Sequence, residues 1–270
     1  MNQVKVKSLW IYPIKSCRGI PLMDMQITKT GPAYDRQFMF VDQDNKFITL
    51  RTEPKLSQIQ PVIDGQSMTL HFNERSLNIQ LDRNSDRIEA VTVWKDTFKA
   101  GIESDAVNKV FSEYFGYSTK LVRYQQQSFR DLQTGTTEFV KETMFSDSRP
   151  ILLTNENSLI DLNAKISLAN STNPSAIERF RSNIIISGLE AFKEDHFKSW
   201  KINGLTLNNP KLCGRCPIIT QEITTGQVVS NETLTTLAGF RRDGTKVLFG
   251  VYLTPGILGK ISVGDQVTAF

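Results

Sequence analysis

The sequence predicts a mainly β protein with a few helices, an α+β chain whose first half, residues 1–120, and second half, residues 121–270, are each β-rich. Three observations carry this reading. Short β-branched and aromatic stretches separated by turn residues fill the first hundred positions, three later segments carry helical periodicity, and the 39% apolar content of a 270-residue chain suffices for a proper core in one large domain or two modest ones.

In chain order, stretches 4–14, 22–27, 37–41, 47–50, 68–72, 77–81 and 88–94 alternate or cluster apolar residues, with Asp44-Asn45, Asp64-Gly65 and Asn73-Glu74 as turns. Strands this closely spaced suggest a barrel or sandwich. The period then changes. Ala106, Val107, Val110, Phe111, Tyr114 and Phe115 share one helical face, and Gly116 stands where such a helix would stop. Residues 125–147 are polar with few aliphatic side chains, which predicts a loop that joins the halves or lies over a site. Beyond it, strands are expected at 151–153, 183–187, 205–207, 217–220, 246–253 and 260–270, with helices near 158–165 and 232–239.

Composition narrows the function. Three cysteines cannot build a disulfide framework, and the odd count leaves a thiol unpaired, so a reducing, cytoplasmic location is expected. The opening Met1-Asn2-Gln3-Val4-Lys5 lacks a secretory signal, and no apolar run approaches the roughly 18 residues that cross a bilayer, so no membrane association is expected. A formal charge of +4, from 32 Lys plus Arg against 28 Asp plus Glu without long basic runs, disfavours dedicated nucleic-acid binding and points to a small anionic partner. With only His71, in a strand, and His196, in an acidic turn, histidine-based hydrolysis has little material. Neither phosphate-cradling glycine pattern is present.

The chemistry concentrates in Lys211-Leu212-Cys213-Gly214-Arg215-Cys216-Pro217. Structural zinc would need Cys17 and a histidine to complete the site, because no second cysteine pair exists. A thioredoxin-type pair would open a helix after a strand, whereas 217–220 reads as another strand. A single activated cysteine beside Arg215 is the third reading, and a thiolate serves equally as nucleophile or soft metal ligand. Three further segments carry anion-binding groups: Tyr12-Pro13-Ile14-Lys15-Ser16, Asp35-Arg36, and Arg179-Phe180-Arg181-Ser182-Asn183.

Together with Arg51-x-x-Pro54, Leu152-Leu153-Thr154-Asn155-Glu156-Asn157-Ser158-Leu159, Phe249-Gly250-Val251-Tyr252 and Val263-Gly264-Asp265, these segments resemble the MOSC family, of the molybdenum-cofactor sulfurase C-terminal type, preceded by its N-terminal β-barrel domain. The likeness runs along the whole chain and is strongest to the amidoxime-reducing group and its bacterial relatives. It implies a β-barrel-like first domain and a MOSC β-barrel second domain. It also implies the molybdenum cofactor, with Cys216 as the metal's protein ligand and Gly214 and Arg215 beside it. Lys15, Ser16 and Arg36 would hold the pterin phosphate or ring, Asn157, Ser158, Arg181, Asn183 and the Tyr252 hydroxyl would make the other cofactor contacts, and Glu156 would relay a proton near the metal. Ser182 departs from the family's proline at that position, a change that removes no donor.

The activity implied is a molybdenum-dependent oxidoreductase that reduces N-hydroxylated compounds, namely amidoximes, hydroxylamines and N-hydroxylated nucleobases. The chain has no Cys-x4-Cys-x2-Cys run, so electrons are expected from a separate flavin or iron–sulfur reductase. The rival is a non-catalytic carrier holding sulfur or the cofactor on Cys216.

Overall fold

The computed structural model describes residues 3–131, 142–168 and 173–270. Strands account for 42% of it, accompanied by three α-helices, so the fold is mainly β as expected. The largest sheet runs in the order Val267–Ala269, Ser199–Ile202, Leu205–Arg215, Lys246–Pro255, Ile151–Asn155, Ile184–Ser187, Lys5–Ile11 and Ile20–Leu22, with Arg242–Asp243 hairpinned onto Lys246–Pro255. Smaller sheets join Phe38–Val41, Lys120–Arg123, Asp96–Ile102 and Ile88–Val93; Gly259–Ser262, Asp24–Thr28 and Gly31–Pro32; and Gln60–Asp64, Ser67–Phe72 and Arg75–Gln80.

A division near residue 120 splits the sequence but not these sheets. Lys5–Ile11 pairs antiparallel with Ile184–Ser187, and Asp24–Thr28 pairs with Gly259–Ser262. The chain therefore starts in the sheet of the second half and crosses to the first half through residues 12–36. Backbone hydrogen bonds from Arg36 N to Tyr12 O at 2.8 Å, Lys15 N to Phe38 O at 2.8 Å and Phe38 N to Pro13 O at 2.9 Å fasten that crossing segment to itself and to Phe38–Val41.

Helix α1, Asp105–Phe115, has the expected bounds: the Ser104 hydroxyl accepts from Val107 N at 3.4 Å, and Gly116 ends the helix at φ 89°. Its buried Phe111 packs edge-on to Phe40 at 4.7 Å and tilted against Phe72 at 5.0 Å. Helix α2, Glu156–Leu168, and α3, Glu232–Phe240, outlast their expected spans. Among the described residues no helix is long and apolar enough to cross a membrane.

Four expectations change. Residues 217–220 form a 3-10 helix, not a strand: Pro217 sits in its first turn, where a missing N–H costs nothing, and the Thr220 hydroxyl donates to Pro217 O at 2.7 Å. Residues 47–50 make only an isolated bridge, Val41 to Phe47, because Thr49 O turns the chain by accepting from Thr52 N and Glu53 N. Strand 205–207 continues to Arg215. The expected strand 260–270 is broken by a turn into Gly259–Ser262 and Val267–Ala269, with Asp265 N donating to Ser262 O. The centre of the expected loop 125–147, residues 132–141, lies outside the described residues.

Candidate functional site

Where the crossing segment meets the second half, a cavity of about 110 Å³ is lined by Lys15, Ser16, Arg36, Arg181, Asn183, Gly214, Arg215, Cys216 and Tyr252. Nine of the residues marked by the sequence thus converge, from five separate segments. Glu156, Asn157 and Ser158 do not. Leu152 lines the cavity, and Ile151–Asn155 carries the chain away from it, so four residues at about 3.3 Å each place Glu156 roughly 13 Å along the strand. There Glu156 pairs with Lys7 at 3.5 Å, Asn157 Nδ2 donates to Leu189 O at 2.7 Å, and the buried Ser158 hydroxyl donates to Glu194 at 2.7 Å. These three order the start of α2, and none contacts the cavity wall.

Backbone conformation aims the cavity's polar groups. Ser16, Arg36 and Arg181 all occupy the left-handed region, at φ 69°, 48° and 55°. Three non-glycine residues held there around one hollow are a concentration of strain of the kind found at binding sites. Both Arg36 and Arg181 lie over the Tyr12 ring, with guanidinium carbons 4.4 and 4.3 Å from its centroid. The buried Asp35 carboxylate takes two hydrogen bonds from Arg36 Nη1, and Arg36 Nη2 donates to Arg181 O at 3.0 Å. Burial first, and the neighbouring Arg36 charge second, push the Arg181 guanidinium down to about 10.

Asn183 is already committed: its Oδ1 accepts from Leu152 N at 3.1 Å and its Nδ2 donates to Trp10 O at 3.1 Å, so it ties three strands together at the cavity's edge. Ser182, standing where the family has proline, shares a 2.9 Å hydrogen bond with the Thr154 hydroxyl and thereby gains a contact proline would lack.

On the opposite wall, Leu205–Arg215 pairs with Lys246–Pro255 through two register shifts, one of them between Leu212 and Gly214. A bulge re-aims side chains, and this one falls at Cys213. Gly250, at φ 76°, lies across from it, where a Cβ would come within 2.7 Å of Leu153 O. Cys213 is buried and Cys216 half-buried. Arg215 Nη1 donates to Cys213 Sγ at 3.0 Å and Nη2 to Phe180 O at 2.6 Å. Burial, reinforced by the Cys213 sulfur, holds the Tyr252 phenol well above its ordinary pKa, so its hydroxyl stays protonated.

The sequence did not single out Ser146, Asp147, Arg149 or Leu152 as cavity residues, although all four line the wall. Lys15 Nζ, almost fully buried, donates to Asp147 at 2.6 Å and to Phe145 O at 2.8 Å. Burial alone would raise Asp147, but the Lys15 ammonium and the hydrogen bonds from Lys15 and Trp94 bring it down to about 2. The readable signal was the run Ser146-Asp147-Ser148-Arg149-Pro150, polar up to a proline that opens an apolar strand.

Does this lining suit an anionic cofactor held through sulfur? Arg181 Nη2 and Arg215 Nε, on two residues of the lining, are buried without a hydrogen-bond partner. Buried donors of this kind call for an acceptor. The lining chemistry fits an anionic cofactor whose metal sits on Cys216, and at about 110 Å³ the cavity takes the metal-bearing part of such a group, not the whole of a phosphorylated pterin. A bare metal ion fits less well, since among the described residues no group of three or more His, Cys, Asp or Glu side chains could hold one.

Residues 3–118 match the MOSC N-terminal beta barrel domain, and residues 140–268 match the MOSC domain. Mitochondrial amidoxime reducing component 2 of Rattus norvegicus is 29% identical over 287 residues, which cover 97% of this chain and 82% of that protein. Mitochondrial amidoxime-reducing component 1 of Homo sapiens is 29% identical over 283 residues, with the same coverage of 97% and 82%. Molybdenum cofactor sulfurase of Oryza sativa is 30% identical over 269 residues, 94% of this chain but 33% of that protein. The chain thus spans about a third of the length of the plant sulfurases it matches.

Proposed function

The chain belongs to the MOSC family, an N-terminal MOSC β-barrel domain followed by a MOSC domain, and from that premise we propose that it is a molybdenum-cofactor-dependent reductase of N-hydroxylated compounds. The observation that carries this is the meeting, around one cavity, of Cys216 with Arg181 and Arg215, each of which keeps a buried nitrogen without a partner. The likeness to two amidoxime-reducing components along 97% of the chain supports the choice of reaction.

The cofactor, when bound, supplies the two-electron chemistry at a metal ligated by Cys216. The chain's own residues bind and orient it. Arg181 and Arg215 would hold its anionic groups, and Arg36 is fixed beside them by its ion pair with the buried Asp35. Lys15 spends two of its three donors on Asp147 and Phe145 O, which leaves one for a phosphate. Reduction of an N–OH to an N–H releases water and consumes two electrons and two protons. Tyr252 Oη, kept protonated on the cavity wall, is the side chain placed to hold one of those protons, in the role the resemblance gave to Glu156. Electrons come from a separate flavin or iron–sulfur protein.

The test uses protein purified with its cofactor, reduced viologen as electron source and benzamidoxime as substrate. Molybdenum near one atom per chain, with turnover abolished in Cys216→Ala, is the expected result. Turnover unaffected by that substitution overturns the assignment. A second reading, a carrier with a persulfide or the cofactor on Cys216, draws on the likeness to the sulfurases; sulfur on Cys216 with no turnover of any N-hydroxylated substrate would favour it.

A further inference from the structure

A second cavity, of about 360 Å³, adjoins the Cys216 compartment and shares Arg179, Arg181 and Ile218 with it. At that volume it is in the size range of small-molecule sites, roughly 300–1,000 Å³. Trp10, Leu50, Ile218 and Ile223 make part of its wall apolar. The charged groups on the wall are Arg18, Arg179 and Arg181 against Glu178 and Glu222, an excess of one positive charge.

Two facts show that these groups do not satisfy one another. The Glu222 carboxylate is turned onto its own loop, where it accepts from Thr224 N and Thr225 N, each at 2.7 Å, and from the Thr224 hydroxyl. Arg179 Nε and Arg181 Nη2 are buried with no acceptor, and Gln221 Oε1 is buried with no donor, its Nε2 being spent on Leu50 O at 2.8 Å. Apart from Arg181, the lining residues therefore keep one unused donor, Arg179 Nε, and one unused acceptor, Gln221 Oε1, and a buried polar group left in that state is costly unless a ligand completes it.

We propose that this cavity binds a flat organic monocarboxylate that also carries an N–H, with the carboxylate on Arg18 and Arg179 and the N–H on Gln221 Oε1. Guanidinium forks match carboxylate geometry, and the apolar residues suit a ring. Arg181 belongs to both compartments and is left to the cofactor. The inference does not rest on the proposed redox activity, since the second cavity contains none of the residues assigned to the reaction other than that shared arginine.

The test is calorimetric titration of the full-length protein with 4-aminobenzoate and 4-aminobenzamide, which share a ring and an N–H and differ in charge. The carboxylate is expected to bind at least tenfold more tightly. Arg18→Gln is expected to erase that preference and Arg18→Lys to restore most of it, which also shows that the position tolerates substitution without loss of fold. Equal binding of the two probes overturns the proposal. So does a preference that survives Arg18→Gln and disappears in Arg36→Gln, because the carboxylate would then occupy the Cys216 compartment.

Discussion

Two hollows of almost equal size, each walled by three arginines, sit in different parts of the molecule. One, about 350 Å³, lies at the start of α1 and is lined by Arg83, Arg87 and Arg123; the other, about 360 Å³, adjoins the Cys216 compartment and is lined by Arg18, Arg179 and Arg181. In the first, Arg123 pairs with Glu103 and donates to the carbonyls of Arg83 and Gln80, while Arg87 pairs with Glu89 and Asp105. In the second, Arg179 and Arg181 each keep a buried nitrogen with nothing to donate to. Size and composition do not distinguish a site from a strut. What differs is satisfaction: on the first wall Arg87 and Arg123 are filled by the chain, whereas on the second, buried nitrogens beside a cavity stay unfilled.

The sharpest way to break that comparison is to remove one arginine from each kind of wall. Arg123→Met leaves the Glu103 carboxylate and two carbonyls without their partner and is expected to cost about 3 kcal/mol, in the range for breaking a buried pair. Arg181→Met removes a desolvated charge with an unfilled donor, and its stability is expected to stay within about 1 kcal/mol of wild type while molybdenum content falls. Urea denaturation and metal analysis of the two variants check this. Equal destabilisation would mean that both arginines are structural.

The contrast also explains what could be read in advance. Helix α1 was legible because the switch from strand to helical period and the stop at Gly116 are both local. Nine cavity residues were legible because the short motifs that carry them, cationic and polar positions with Gly214 between two cysteines, are local in the sequence and resemble one family's. The strut was not legible, since Arg123 and Gln80 are 43 residues apart and nothing local couples them. Lys15 and Asp147, 132 positions apart, were hidden for the same reason. Glu156 misled because proximity to a motif is not proximity to a cavity: the strand's rise carries it out of reach. The bulge at Cys213 had a local signature, Gly214 at the register shift, that the sequence reading did not use.

A middle-sized effect comes from Asp147, which joins the two categories by filling Lys15 from the chain at the cavity wall. Its folded pKa of about 2 is below the ordinary 3.8, so the stability it supplies is present above about pH 4 and lost as the pH falls toward 2. Its side chain is 49% exposed, and solvent screening holds the contribution to about 1 kcal/mol. Burial lowers Lys15 as well, so its charge is already a cost at neutral pH, and Asp147→Asn leaves that charge with less compensation. The variant is expected to be less stable than wild type at pH 7 by about this amount, with the gap closing between pH 4 and 2. A gap independent of pH in denaturation curves would contradict the ion pair.

The smallest expected effect tests the strut side alone. Ser104 borders the first hollow and caps α1, and its hydroxyl accepts from Val107 N across a long 3.4 Å. Loss of an N-cap costs about 1 kcal/mol on average, and an exposed bond of this length belongs at the low end, near 0.5 kcal/mol. Ser104→Ala should therefore lower stability slightly and Ser104→Asp should recover it, since a carboxylate at a helix N-terminus caps as well as serine. Because that hollow is held by filled donors, neither change should alter molybdenum content. A Ser104 variant that bound less cofactor would connect that hollow to the Cys216 compartment and remove the distinction between strut and site.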